Sequence, residues 1–228
     1  MRKIFIPTSN ADDWKRFLAE PEKQWKTGFS ARSLAHCWED ADGFPDEIIK
    51  TFDSSGIPDF KGIQLLFAFP EYQVALPGGD RPSQNDVYVI AKTTNGQLAS
   101  ITIEGKVAES FGPTLQEWNA SGTKGRQQRL AFLKEKLGLN IDLPINLRYQ
   151  LLHRMVSAVI EAERINAGYA VMIVHSFHKE NMWFDDFNAF TGLFGQKAVI
   201  NKLLYLTEVR GIKVFTGWAK GNEKYLTQ

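Results

Sequence analysis

The stretch DVYVIAKTTNGQLASITIEGKV, residues 86–107, carries the strongest structural signal in this chain. It contains two runs rich in β-forming residues, separated by Asn95-Gly96, the dipeptide most typical of a tight turn between antiparallel strands. The second run alternates apolar and polar side chains, which predicts a strand with one apolar face and one polar face. We therefore predict a β-hairpin whose first arm begins at Asp86.

The polar face of the second arm ends in Glu104 and Lys106, whose Cβ atoms would lie roughly 6.5–7 Å apart. Such a pair is most often a solvated, salt-bridged surface. The alternative is half of a metal-dependent active site, in which Asp86 supplies a second carboxylate and the Gly105 carbonyl a further oxygen. A neighbouring ammonium can then polarise an attacking water. The strand register decides between the two, because Asp86 must share a face with Glu104.

The segments around the hairpin predict a mixed α/β protein, because helical and strand patterns alternate along the chain. We read residues 1–228 as one domain with a core at about 30–177 and a C-terminal embellishment at about 182–228. The predicted elements are a short strand at 3–7, a helix at 10–21, a helix at 30–41, an extended run at 62–76, helices at 126–139 and 145–168, a buried strand at 169–177, and a final helix and hairpin.

The letters Asp86 and, on the next strand, Glu104-Gly105-Lys106 resemble the PD-(D/E)XK signature of the restriction-endonuclease-like nucleases. The core of that superfamily is similar to the order predicted here: a helix, three strands that carry the motif, a helix and a strand. The residue before Asp86 is asparagine, where the signature has proline. The whole chain also resembles a group of uncharacterised bacterial proteins.

The resemblance implies that Asp86 and Glu104 bind Mg²⁺ (or Mn²⁺) and that Lys106 assists the attacking water. Many members add a glutamate from the first core helix, a role that Glu39 matches by position. Some add a glutamine on the helix after the motif and a tyrosine four residues later. Gln150 matches the glutamine, whereas Arg154 stands at the position of the tyrosine. The implied substrate is nucleic acid, with DNA as the expected form, and proteins with this fold often form homodimers.

Composition limits these hypotheses. A net charge of +1 gives no overall attraction to nucleic acid, so a nuclease would have to concentrate its positive charge locally. The basic residues of segment 124–136, with Arg148, His153 and Arg154, are candidates for contacting a phosphate backbone. The single Cys37 excludes an internal disulfide and a cysteine-based zinc site. No stretch has the pattern of a signal peptide or a membrane span, so we expect a cytoplasmic protein.

Two other functions remain open from the sequence. The same scaffold could serve as a non-catalytic binding or interaction protein, which the near-neutral charge and the missing tyrosine favour. A small-molecule hydrolase that uses histidines is a more distant option. His175 and His178 leave the buried strand with a spacing that does not match a known zinc-ligand pattern. Glu109, close to the end of the hairpin, is a further candidate member of the site.

Overall fold

Six strands form one mixed sheet in the computed structural model, which describes residues 7–228. The strands are β1 (Gln64–Val74), β2 (Ser83–Lys92), β3 (Leu98–Lys106), β4 (Tyr169–Ser176), β5 (Lys202–Val209) and β6 (Ile212–Lys220). Their order across the sheet is β1-β2-β3-β4-β6-β5. The β3–β4 and β4–β6 pairs are parallel and the other three pairs are antiparallel. The predicted mixed α/β class is therefore confirmed.

The hairpin of β2 and β3 forms as predicted. Val87 pairs with Ile103, and the ladder continues to Lys92 and Leu98 beside the Asn95-Gly96 turn. Gly96 has φ +86°, a left-handed conformation that glycine adopts without steric cost. Strand β2 begins at Ser83, earlier than predicted.

Seven α-helices surround the sheet within residues 7–228, together with three short 3₁₀ helices. They are α1 (Pro21–Gln24), α2 (Ser30–Glu39), α3 (Asp46–Asp53), α4 (Leu115–Trp118), α5 (Lys124–Lys136), α6 (Tyr149–Ile165) and α7 (Phe184–Gly192). The helix predicted at 10–21 is a 3₁₀ helix, Ala11–Phe17, capped by the Asn10 side chain, and is followed by α1. Helix α3 has no counterpart among the predictions. The strand predicted at 3–7 lies outside the described residues except for Pro7.

The sheet separates two apolar cores. One contains Ile101 and Ile103 of β3 and packs against α2 and α3. The other contains Met172 and Val174 of β4 and packs against α5, α6 and α7. Every residue of β4 is buried, as expected for a central strand covered on both faces. Helix α6 connects β3 to β4, the crossover that a parallel pair requires.

The polar face of β3 does not meet solvent, because helix α6 covers it. The Ser100 hydroxyl donates to the carbonyl of Ala158 at 2.8 Å, and the Thr102 hydroxyl donates to that of Arg154 at 3.1 Å. Glu104 is 2% exposed and Lys106 is 4% exposed. A solvated, salt-bridged surface is therefore excluded for this pair, and two opposite charges are buried at the end of β3.

The C-terminal strands belong to the central sheet, since β6 pairs directly with β4 along its whole length. The region predicted as an embellishment thus completes the sheet instead of lying beside it. Within residues 7–228, every helix is too short or too polar to cross a membrane.

Candidate active site

A cleft of about 340 Å³ opens where β3 ends, between the start of β2 and the first turns of α6. The charged and amide side chains that line it include five of particular interest: Asp86, Glu104, Lys106, Gln150 and Arg154. Since Val87 pairs with Ile103, Asp86 lies across from Glu104 at the end of the hairpin. The register therefore brings together the two acidic residues predicted to share a site.

Glu104 is held by two cations. Its Oε1 accepts a hydrogen bond from Lys106 Nζ at 2.7 Å, and its Oε2 accepts one from Arg154 Nε at 2.5 Å. Burial by itself would raise the pKa of Glu104, but the charges of Arg154 and Lys106 outweigh burial and hold that pKa below its usual value. Glu104 is therefore an ionised carboxylate inside the protein.

The pKa of Asp86 is shifted in the opposite direction to that of Glu104. Burial, followed by repulsion from Glu104, raises the pKa of Asp86 to about 7. Its Oδ2 accepts a hydrogen bond from the Gly105 amide at 2.7 Å. A Cβ on residue 105 would lie 3.3 Å from that same oxygen and 3.2 Å from Leu34 Cδ2, so glycine leaves the room that the carboxylate needs. The structure thus shows a role for the Gly105 amide, and the metal-ligand role of its carbonyl stays a prediction.

The ammonium of Lys106 contacts three residues. It donates to Glu104 and, at 3.2 Å, to Gln150 Oε1, and it sits 4.8 Å from the centre of the Phe111 ring. Gln150 is the second residue of α6, so the start of the crossover helix positions the lysine at the end of β3. The structure therefore brings Gln150 into the predicted site.

Glu71 is a further acidic residue of the cleft that the sequence did not reveal. It lies in β1 between the pairs Pro70–Val87 and Tyr72–Asn85, and hence across from Asp86. Burial, followed by the charge of Asp86, raises the pKa of Glu71 well above its usual value, although Gln84 donates to it at 2.7 Å. Only the register of β1 against β2 identifies this residue, because its sequence surroundings carry no motif.

Three carboxylates consequently form a row across adjacent strands: Glu71 on β1, Asp86 on β2 and Glu104 on β3. Lys106 and Arg154 supply positive charge at one end of this row, beside Glu104. The two carboxylates farther from these cations are the two whose pKa is raised. The row therefore carries uncompensated negative charge when all three groups are ionised.

Arg154 stands where some of the nucleases that the motif resembles have tyrosine, and its guanidinium contacts two residues of the cleft region. Besides Glu104, its guanidinium donates to Ser83 Oγ at 3.2 Å. The same hydroxyl lies 2.8 Å from His153 Nδ1. Burial, followed by the charge of Arg154, holds the pKa of His153 well below its usual value, so this ring is neutral. The network fixes the arginine over Glu104 from the opposite side to Lys106.

Glu39 does not join the cleft, which corrects the role assigned to it from its position on the first core helix. Its Oε1 accepts hydrogen bonds from Thr8 Oγ1 at 2.5 Å and Trp14 Nε1 at 2.6 Å, and it lines a separate pocket. The cleft instead meets Ser30, the first residue of α2, and ten helical residues span about 15 Å. Glu39 therefore lies at the wrong end of the helix.

Glu109 lines the cleft and caps the N-terminus of helix α2. Its carboxylate accepts hydrogen bonds from the amides of Ser30 at 2.8 Å and Val107 at 3.0 Å. A carboxylate at a helix N-terminus is favoured by the helix dipole. This acid has a structural task that ties α2 to the end of β3.

The basic residues considered for backbone contacts are largely occupied within the protein. Arg129 is buried and donates to the carbonyls of Pro77 and Gly79 at 2.7 and 3.0 Å. Other members form ion pairs, Lys136 with Glu163 and Arg148 with Asp186.

The two histidines considered for a zinc site lie in different surroundings. His178 Nδ1 accepts hydrogen bonds from two nearby amides, and His175 is fully buried on the face of the sheet that packs against α2. The two histidines do not form a common site.

The fold and cleft define a mixed α/β protein with a buried acidic and basic network at the end of its central hairpin. A family model described as a domain of unknown function (DUF6946) matches residues 7–223, so the chain belongs to that family. No curated protein and no solved structure matches the chain.

Proposed function

We propose that this protein is an Mg²⁺-dependent enzyme of the PD-(D/E)XK type that hydrolyses phosphodiester bonds in DNA and acts in the cytoplasm. The observation that carries the proposal is the row of Glu71, Asp86 and Glu104 beside the buried ammonium of Lys106. The proposal is also supported by the element order, since α2, β1 to β3, α6 and β4 follow one another in the order expected of the nucleases that the motif resembles, with α3, α4 and α5 as additional helices.

The carboxylate oxygens of the cleft are donors of the type that a divalent cation prefers. Mg²⁺ prefers oxygen ligands and is commonly bound by one or two carboxylates together with waters and substrate phosphate. Burial, followed by the charge of a neighbouring carboxylate, raises the pKa of Glu71 (beside Asp86) and of Asp86 (beside Glu104), and a bound cation would offset that negative charge. Asp86, Glu104 and the Gly105 carbonyl would hold the ion. When bound, it would supply an electrophile for the phosphate and a more acidic water.

The side chains of the cleft then have distinct tasks. Lys106 donates hydrogen bonds to an attacking water and offsets negative charge that develops on the phosphate. Gln150 accepts from the same ammonium at 3.2 Å and so fixes where it points. Arg154 keeps Glu104 ionised and in place through its bond to Oε2.

Cleavage of DNA by the purified protein tests the proposal. Plasmid, linear duplex and single-stranded DNA are incubated with Mg²⁺ or Mn²⁺ and with wild type, Lys106→Ala or Lys202→Ala. We expect metal-dependent cleavage that falls by about 100-fold or more in Lys106→Ala, the scale of a lost hydrogen-bond donor that stabilises charge in the transition state. Lys202, an exposed lysine on β5, is the matched control and should leave the rate unchanged. Absence of cleavage by wild type, or an unchanged rate in Lys106→Ala, would refute the proposal.

A second function is favoured by the two ion pairs of Glu104. Both oxygens of Glu104 are occupied by cations of the protein, Lys106 and Arg154, so the guanidinium can take the place of a metal ion. On this account the scaffold binds a partner without catalysis. Calorimetry separates the two: Mg²⁺ or Mn²⁺ binding that is lost in Glu104→Gln supports the enzyme, and absence of binding to wild type supports the non-catalytic protein.

A further inference from the structure

A second cluster of metal-binding side chains lies on the opposite face of the sheet. Cys37 of α2, Glu47 of α3 and His175 of β4 bring one sulfur, one oxygen and one nitrogen within 4.8 Å of one another. Among residues 7–228, no other group of three or more histidine, cysteine, aspartate or glutamate side chains meets this criterion. The three residues come from separate elements, so only the tertiary fold assembles them.

His175 gives independent evidence that this cluster lacks a ligand. The side chain is 0% exposed, and within the described part of the chain neither ring nitrogen has a hydrogen-bond partner. Leaving a buried polar group unpaired costs free energy, and the great majority of such groups are paired. One nitrogen points toward Cys37 and Glu47, as its place in the cluster requires. A bound cation would give that nitrogen the partner that the protein does not supply.

The chemistry of the three donors selects the metal. Thiolate, imidazole and carboxylate are the ligands of Zn²⁺, and a site with three protein ligands leaves a fourth position for water. A thiolate disfavours Mg²⁺, which prefers oxygen donors. Cys37 is 2% exposed and lies in the same buried apolar cluster as Tyr225. Glu47 is half-buried and provides the contact with solvent.

We propose that Cys37, Glu47 and His175 bind one Zn²⁺ ion, which fastens α2 and α3 to β4. The site is separate from the cleft, although His175 pairs with Gly105 in the sheet. The expectation that one cysteine excludes a cysteine-based zinc site does not extend to this mixed set, because a cysteine count says nothing about which other donors the fold brings to it.

Cobalt substitution tests the site directly. The chain contains one cysteine, so a thiolate-to-cobalt charge-transfer band in the near ultraviolet can arise only from Cys37. The wild-type protein is refolded with Co²⁺, its absorption spectrum is recorded, and Zn²⁺ is then added as a competitor. We expect the band to appear at one equivalent of Co²⁺ and to disappear with Zn²⁺ and not with excess Mg²⁺. A wild-type protein that folds with Co²⁺ and shows no such band would overturn the proposal.

Two variants test the cysteine and glutamate ligands. Cys37→Ser should abolish the band, and Glu47→Gln, a conservative change at a half-buried position, should weaken Zn²⁺ binding by at least about tenfold. Asp142→Asn, an exposed carboxylate outside both sites, is the control and should leave Zn²⁺ affinity unchanged. Zinc should also raise the unfolding temperature of wild type, because ligands from three elements bind only when folded. Equal Zn²⁺ affinity in wild type and a folded Glu47→Gln protein would overturn the assignment of Glu47.

Discussion

Replacing Asp86 by asparagine should make the metal-free protein more stable at neutral and alkaline pH. Burial and repulsion from Glu104 raise the pKa of Asp86 from 3.8 to about 7. Asparagine has nearly the same shape, and its oxygen can still accept the Gly105 amide that Asp86 holds at 2.7 Å. The substitution thus removes the charge and keeps the hydrogen bond.

The size of the effect follows from the shift. A difference of about 3 pKa units corresponds to about 4 kcal/mol between folded and unfolded states. Asp86 keeps partial contact with solvent, so we expect about half of this, about 2 kcal/mol, or roughly 4–8 °C in unfolding temperature for a chain of this size. Because the folded pKa is raised, the unfolded chain loses its proton first. The wild type therefore loses stability relative to Asp86→Asn as pH rises from about 4 to about 7.

Urea unfolding in the presence of EDTA at pH 4, 6 and 8 measures this difference. The gap between Asp86→Asn and wild type should be small at pH 4, grow by pH 6 and be largest at pH 8. Asp142→Asn, at an exposed position, is the control and should show no such trend. Excess Mg²⁺ should narrow the gap, since the cation stabilises only the wild-type carboxylate. A variant less stable than wild type at pH 8, or a gap independent of pH, would refute the reasoning.

Three further substitutions test the packing around the cleft by denaturant unfolding. Gly105→Ala places a methyl group 3.2 Å from Leu34 Cδ2 and should cost about 1–3 kcal/mol; a neutral effect would contradict the crowding. Arg154→Met leaves Glu104 buried with one cation fewer and should cost about 3–5 kcal/mol at pH 7. Because the folded pKa of Glu104 is lowered, that cost should shrink as pH falls below about 4.5, and a pH-independent cost would count against the pair. Thr102→Val removes one hydroxyl bond to helix α6 and should cost about 1 kcal/mol, whereas a loss above 3 kcal/mol would show a larger role.

The fold could be predicted well where local signals and the global structure agree. The Asn95-Gly96 turn fixed the hairpin, and the continuous apolar run of β4 indicated a strand covered on both faces. Helix α3 was missed even though its apolar residues, Ile48 and Phe52, are fully buried. At eight residues it is too short for its periodicity to stand out, and its stability comes from packing against the sheet.

The residues of the candidate site likewise include some that the sequence could indicate and some that it could not. Asp86, Glu104 and Lys106 were found because the hairpin register follows from its turn, and that register places the acids together. Glu71 could not be found, since its place across from Asp86 depends on a pairing between β1 and β2 that no tight turn fixes. Glu39 was misplaced because a motif position on a helix does not say which end of that helix reaches the site.

The polar face of β3 shows a further limit of pattern reading. Alternation predicted that Ser100, Thr102, Glu104 and Lys106 share a face, and it did not say what covers that face. Helix α6 buries them all, and its carbonyls accept the two hydroxyl bonds. Arg154 then pairs with Glu104 across a separation of 50 residues in the chain. Such contacts depend on tertiary packing, which alternation within one strand does not encode.

The most direct test of the central claim is the rate at which wild type and Glu104→Gln cleave end-labelled DNA in Mg²⁺, measured on folded protein and compared with parallel reactions in EDTA. Glutamine keeps the shape of residue 104 and removes the charge that Lys106 and Arg154 hold in place. We expect Mg²⁺-dependent cleavage by wild type and a rate lower by about 100-fold or more in the variant, because residue 104 would then hold the ion without a negative charge. Equal rates for the two proteins, or cleavage by neither in Mg²⁺, would contradict it.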